Sequence, residues 1–213
     1  MTTQRGEDAR RLEAWAGEVR VNLIRAAALV AFYGYHLMNA YVIHSDDERL
    51  RGRFHLLTTA VVLAWAGAIF ILYFCLSRRL VPPALKYVAT FWDLAMITAL
   101  LLIGGNGPRS PLLFLYFLVV AAAPLRLSLR LVYAATLGTM AATVLMTGHY
   151  VFVEIGAANY YHPDYTGRIA RSAEIIFLLS LAVAGLLAGQ TVRQARRLVD
   201  GYPVRVQDTQ EAA

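Results

Sequence analysis

Asp93 sits alone in the middle of an otherwise uncharged stretch, 87–108. It lies ten positions past Pro83, roughly 15 Å along a helix that rises ~1.5 Å per residue. His36 lies eleven positions past Arg25, and Tyr116 ten positions before Arg126. Counted inward from Pro83, Arg25 and Arg126, all three reach a similar depth. Asn39 shares a helical face with His36. An acid, an imidazole, a phenol and an amide at one level can exchange hydrogen bonds, hold a ligand head group such as a quinone, or pass a proton. The same four side chains can equally form a buried Asp–His or Asp–Tyr bond that only locks helices together.

His44, His55, His149 and His162 map to the opposite end of their segments, near Asp46, Asp47, Glu48 and Asp164. Imidazole and carboxylate are suitable ligand types for Zn or Cu. Their spacing matches no ligand pattern, so surface histidines are expected and no metal site. Cys75 is the single cysteine, which rules out an intrachain disulfide and a cysteine metal cluster. The chain holds no Walker loop, no metalloprotease helix motif, no nucleophile–base pair in one loop and no nucleic-acid motif. No enzyme activity and no nucleic-acid partner are expected.

The elements that must position these residues follow from the spacing of charge. Stretches 26–45, 54–77, 110–125, 131–153 and 175–192 carry no charge, and 87–108 carries only Asp93. The bilayer core is ~30 Å thick, so roughly 20 apolar residues make one crossing. The sequence predicts an all-α membrane protein of six transmembrane helices. Hydrophobic residues are 58% and charged residues 16% of the chain, which leaves no room for a separate soluble core. The net charge is +6, from nineteen arginines, Lys86 and fourteen acids. With the N-terminus inside, the inner segments hold fourteen Lys and Arg and the outer ones six. That asymmetry places both termini in the cytoplasm.

Three regions result: a cytoplasmic amphipathic arm (1–21), a transmembrane domain (22–193), and a helix extension with a polar tail (194–213). In the arm, Leu12, Trp15 and Val19 suit a helix lying in the inner headgroups. Arg126 is expected to snorkel from span four to the inner surface. Ser110 and Pro111 fit the N-cap and first turn of that span. Gly201 and Pro203 are expected to end the last helix. Ala134, Gly138 and Ala142 on span five, and Gly185 and Gly189 on span six, allow close helix packing. Internal packing and a homodimer seam both fit that pattern.

Six short-looped spans, with Gly104-Gly105 and then Ser110-Pro111-Leu112-Leu113-Phe114 entering span four, resemble the N-terminal membrane module of bacterial sensor histidine kinases. The quinone-responsive redox branch and related cyclase or kinase modules share this layout. The resemblance covers about 22–195 and is specific over about fifteen residues. Ser110-Pro111-Leu112 stands where that module has an Asn-Pro-Phe-like run. The resemblance implies a bacterial inner-membrane sensor or receptor-like module. Gln190–Val199 looks like the start of its output helix, and a polar tail follows. The expectation is signalling through a separate protein partner at the cytoplasmic end of helix six. The alternatives are a structural or assembly subunit of a larger membrane complex and, further off, a small transporter.

Overall fold

The computed structural model describes residues 2–43, 52–78, 82, 84–104, 107–162 and 170–211. Side chains are described over 15–42, 52–78, 82, 84–104, 107–162 and 170–197. Among these residues the chain is all helical. The elements are α1 (Thr2–Met38, continued by a π-helical turn Asn39–Ile43), α2 (Arg53–Ser77), α3 (Leu85–Ile103), α4 (Leu115–Ala122), α5 (Leu129–His149, continued by a π-helical turn Tyr150–Ile155), the short α6 (Ala157–Tyr160) and α7 (Arg171–Glu211). Five helical segments are long and apolar enough to cross a membrane: Trp15–Val42, Arg53–Ser77, Leu85–Ile103, Leu129–Ile155 and Arg171–Arg197. A helix satisfies its own backbone in lipid, and Val30, Leu63, Phe70 and Leu145 point outward from the bundle. The chain is built as a multi-pass membrane protein.

The fourth apolar stretch differs from the other five. Ser110 caps it, its Oγ accepting from Leu112 N at 3.3 Å with Pro111 in the first turn, as the sequence predicts. The stretch is not one α-helix. It is a 3-10 segment (Pro111–Phe114), the two turns of α4, and a second 3-10 segment (Ala123–Arg126). Pro124 has no N–H to give an α-helical bond, which favours the tighter turn there. The segment ends at Leu127, whose φ of 48° and ψ of 31° are left-handed.

Two helix boundaries differ from expectation. α1 continues without a break from the arm into the first span, and the bundle holds it there. Trp15 Nε1 donates to the Leu76 carbonyl at 3.0 Å, and Asn22 Nδ2 to the Ile69 carbonyl at 3.3 Å. Gly17 passes so near the end of span four that a Cβ would stand 2.6 Å from the Leu125 oxygen. Trp15 therefore anchors a helix–helix joint as well as facing outward. Leu12 lies outside the described side chains. At the other end, α7 runs on through Gly201 and Pro203 to Glu211. A proline withdraws one donor, and the bonds on either side carry the helix past it.

The core lies between α3, α4, α5 and α7, where Leu101, Tyr116, Leu131, Leu181 and Val192 are almost fully buried. The small residues serve this packing. Gly138 lies under Leu94 of α3, Ala142 packs on the core, and Ala134 is half-buried beside them. Gly185 faces Thr136 of α5 in direct contact, and Gly189 faces Leu129 and Tyr133. The glycine face of the last helix is thus taken by α5 of the same chain. A homodimer seam along that face would have to displace α5.

Candidate functional site: a buried charge cluster under an intramembrane cavity

Two ion pairs join α1 to α3 and to the end of the fourth apolar stretch. Arg25 Nε donates to Asp93 Oδ2 at 2.6 Å, and Nη2 of the same guanidinium contacts the same oxygen. Trp65 Nε1 of α2 donates to the other oxygen, Asp93 Oδ1, at 3.0 Å. Arg126 Nη2 lies 3.0 Å from Glu18 Oε2, a charge contact off the hydrogen-bond line. Arg126 Nη1 donates to Thr90 Oγ1 at 2.6 Å and to the Lys86 carbonyl at 2.9 Å. Glu18, Arg25, Asp93 and Arg126 are each more than nine-tenths buried. A lone charge in this setting costs several kcal/mol, and mutual pairing offsets that cost.

Local sequence explains the assembly. Glu18, Asn22 and Arg25 repeat at four- and three-residue spacing, so they form one stripe of α1. Lys86, Thr90 and Asp93 form the matching stripe of α3. All but Lys86 are buried. Lys86 Nζ donates to Ser128 Oγ at 3.1 Å, beside the last turn of span four.

Above the cluster, between α1, α2, α3 and span four, lies a cavity of about 340 Å³. Arg25, Asp93, Trp65, Thr90 and Arg126 line one end, and His36, Asn39, Tyr33 and Ser110 the other. Its middle is apolar, with Ala28, Phe32, Ile97, Leu118 and Val119. Exposed Phe32, Tyr35 and Leu118 form part of its wall. Arg126 Nε and Thr58 Oγ1 line this region without a hydrogen-bond partner among the described residues.

The four sequence-predicted site residues do not form one cluster. Asp93 binds Arg25 and Trp65. His36 stacks on His55 with ring centroids 5.3 Å apart and Nε2 3.1 Å from His55 Nδ1. Tyr116 is fully buried and shares a 2.8 Å hydrogen bond with Thr98. Asn39 and His36 line the cavity end away from Asp93. The physical reason is that Arg25 and Arg126 do not mark the membrane surface. Both are inside the bundle at the level of Asp93, so depths counted from them are displaced. His36 is eleven residues, roughly 16 Å, beyond the Arg25–Asp93 level. The snorkelling expected of Arg126 fails for the same reason, because Glu18 comes down to meet it.

At the other end of the bundle, Tyr41 Oη lies 3.4 Å from His55 Nε2, and His149 Nδ1 lies 3.8 Å from Glu154 Oε1. Among the described residues, no three potential metal ligands come together. His44, Asp46, Asp47, Glu48 and Asp164 lie outside the described residues. Sequence reasoning missed Glu18, Arg25, Trp65, Thr90 and Arg126 as a set. The pair of polar stripes on α1 and α3 could have flagged Glu18, Arg25 and Thr90, but carries neither Trp65 of α2 nor Arg126.

A last contact links this site to the C-terminal helix. Arg196 of α7 donates to the Leu127 carbonyl from both Nε, at 3.0 Å, and Nη2, at 2.6 Å. Arg193 Nη2 donates to Tyr133 Oη at 3.3 Å. Leu127 is the residue next to Arg126 and the one non-glycine residue with positive φ among those described. No protein-family model, curated protein or solved structure shows significant similarity to the chain.

Proposed function

We propose that the chain is a receptor-like sensor module of the bacterial inner membrane, crossing it six times with both termini in the cytoplasm. It has no catalytic role of its own in this reading. A ligand in the cavity biases the buried charge cluster, and α7 passes the change to a separate protein. The observation that carries the proposal is the short path from cavity to C-terminal helix: Arg126 lines the cavity, Leu127 follows it, and Arg196 grips Leu127. A left-handed leucine costs ~1–2 kcal/mol, so its backbone is poised to relax if the grip loosens. The resemblance to sensor-kinase membrane modules agrees with this direction of signalling.

Six crossings are supported by the 3-10 content of span four. Eight residues at ~1.5 Å and eight at ~2.0 Å extend to ~28 Å, close to one bilayer core. The second reading, a structural subunit of a larger complex, draws on the pairing of all four buried charges, which is also how a packing lock is built. A spin label at Gln194→Cys, in a Cys75→Ser background, separates the two. In lipid nanodiscs, stripping and then restoring native membrane lipid should change the label's mobility, and Arg196→Ala should abolish the change. A label indifferent to lipid in both proteins would leave the subunit reading.

A further inference from the structure

Resting on that receptor reading, we infer that the cavity takes a single-chain lipid with an acidic head group, of the fatty-acid class, carboxylate toward Arg126 and Arg25. Three structural features converge on it. The first is charge. Arg25 and Arg126 balance Asp93 and Glu18, and half-exposed Lys86, bound to Ser128 Oγ, adds one positive charge beside that set. A surplus charge at the edge of an apolar phase favours an anion that completes the pairing.

The second is an unfilled donor. Arg126 is 7% exposed, lines the cavity, and finds no acceptor for Nε among the described residues. Buried guanidinium N–H groups are costly to leave unmet, and a carboxylate matches their fork. The third is shape. About 340 Å³ is the small end of ligand sites and suits one chain rather than two. Ile24, Ala28, Phe32, Leu118 and Val119 give that chain an apolar bed above the charges, and exposed Phe32 and Leu118 bring the bed to the bundle surface. The same carboxylate chemistry could be met by a small anion from the cytoplasm, but such an ion would leave the apolar bed empty.

Trp65 binds Asp93 at the polar end, so its fluorescence reports occupancy. The purified full chain in detergent is titrated with palmitate, methyl palmitate and inorganic phosphate, with Trp65→Phe as the control for signal origin. Palmitate should bind saturably, and methyl palmitate should need roughly tenfold more or greater, because it lacks the charged head. Arg126→Gln should remove that preference, and Ala28→Phe should block both lipids by filling the chain bed. Equal binding of acid and ester, or no binding by either, would overturn the assignment. So would competition by phosphate alone, which marks an aqueous anion site. If Arg126→Gln fails to fold, unchanged palmitate binding by Ala28→Phe still overturns it. The two proposals fail separately. If native lipid moves the Gln194 label while palmitate does not bind, the ligand class falls and the receptor stands. If palmitate binds and no lipid moves the label, the receptor falls and the lipid site stands.

Discussion

Arg25 and Asp93, sixty-eight residues apart in the chain, share a 2.6 Å hydrogen bond inside the bundle. Trp65 completes the carboxylate from the other side, so three helices converge on one acid. This contact fixes the rotation of α1 against α3, because only one face of each helix can supply it.

Removing one partner should therefore cost more than removing both. Asp93→Leu leaves the Arg25 guanidinium unpaired, and the expected loss is ~3–5 kcal/mol. The double variant Arg25→Leu with Asp93→Leu should recover most of it. Thermal unfolding in a mild detergent, read by circular dichroism, measures both. Equal losses in the single and double variants would show that the pair is not coupled.

The left-handed Leu127 should make opposite substitutions behave oppositely. Leu127→Gly relieves a conformation that costs leucine ~1–2 kcal/mol, so it should leave stability level or raise it. Arg196→Ala removes both bonds to the Leu127 carbonyl and should lower it by ~1–3 kcal/mol. The pair should be non-additive, since each change alters what the other acts on. Additive shifts in melting temperature would separate the two residues energetically.

Gly17 tests whether the N-terminal arm belongs to the bundle. A Cβ there meets the Leu125 carbonyl oxygen at 2.6 Å, and backbone cannot step aside. Gly17→Val should push α1 off span four, at ~1–3 kcal/mol, and weaken the Glu18–Arg126 contact next to it. Limited proteolysis should then cut within the first 25 residues faster than in the parent chain. An unchanged cleavage rate would place the arm outside the bundle in solution.

Gly185 tests which surface the last helix uses. Gly185→Leu drives a side chain into Thr136 of α5 and should lower the melting temperature while leaving oligomeric state as it was. Light scattering in detergent reads the second quantity. A change from dimer to monomer at constant melting temperature would instead place the glycine face at a subunit seam.

Sequence alone determined that this is a helical membrane protein, because charge-free runs near bilayer length have few other physical outcomes. It also determined the Ser110–Pro111 start of the fourth apolar stretch, a local matter of one hydroxyl and one missing N–H. The small residues of the fifth and last spans were legible as packing faces. Their partners were not, because a small face says only that something comes close.

Depth and partnership were decided by tertiary structure. Arg25 and Arg126 look like surface charges in sequence, since charged residues usually bound a span. What draws them inside is Glu18 on α1 and Asp93 on α3, and an ion pair exists only when two helices meet in one register. The stripes Glu18–Asn22–Arg25 and Lys86–Thr90–Asp93 were each visible in sequence. That they face one another across the bundle, at the foot of a cavity, follows from helix packing, which depends on every side chain between them.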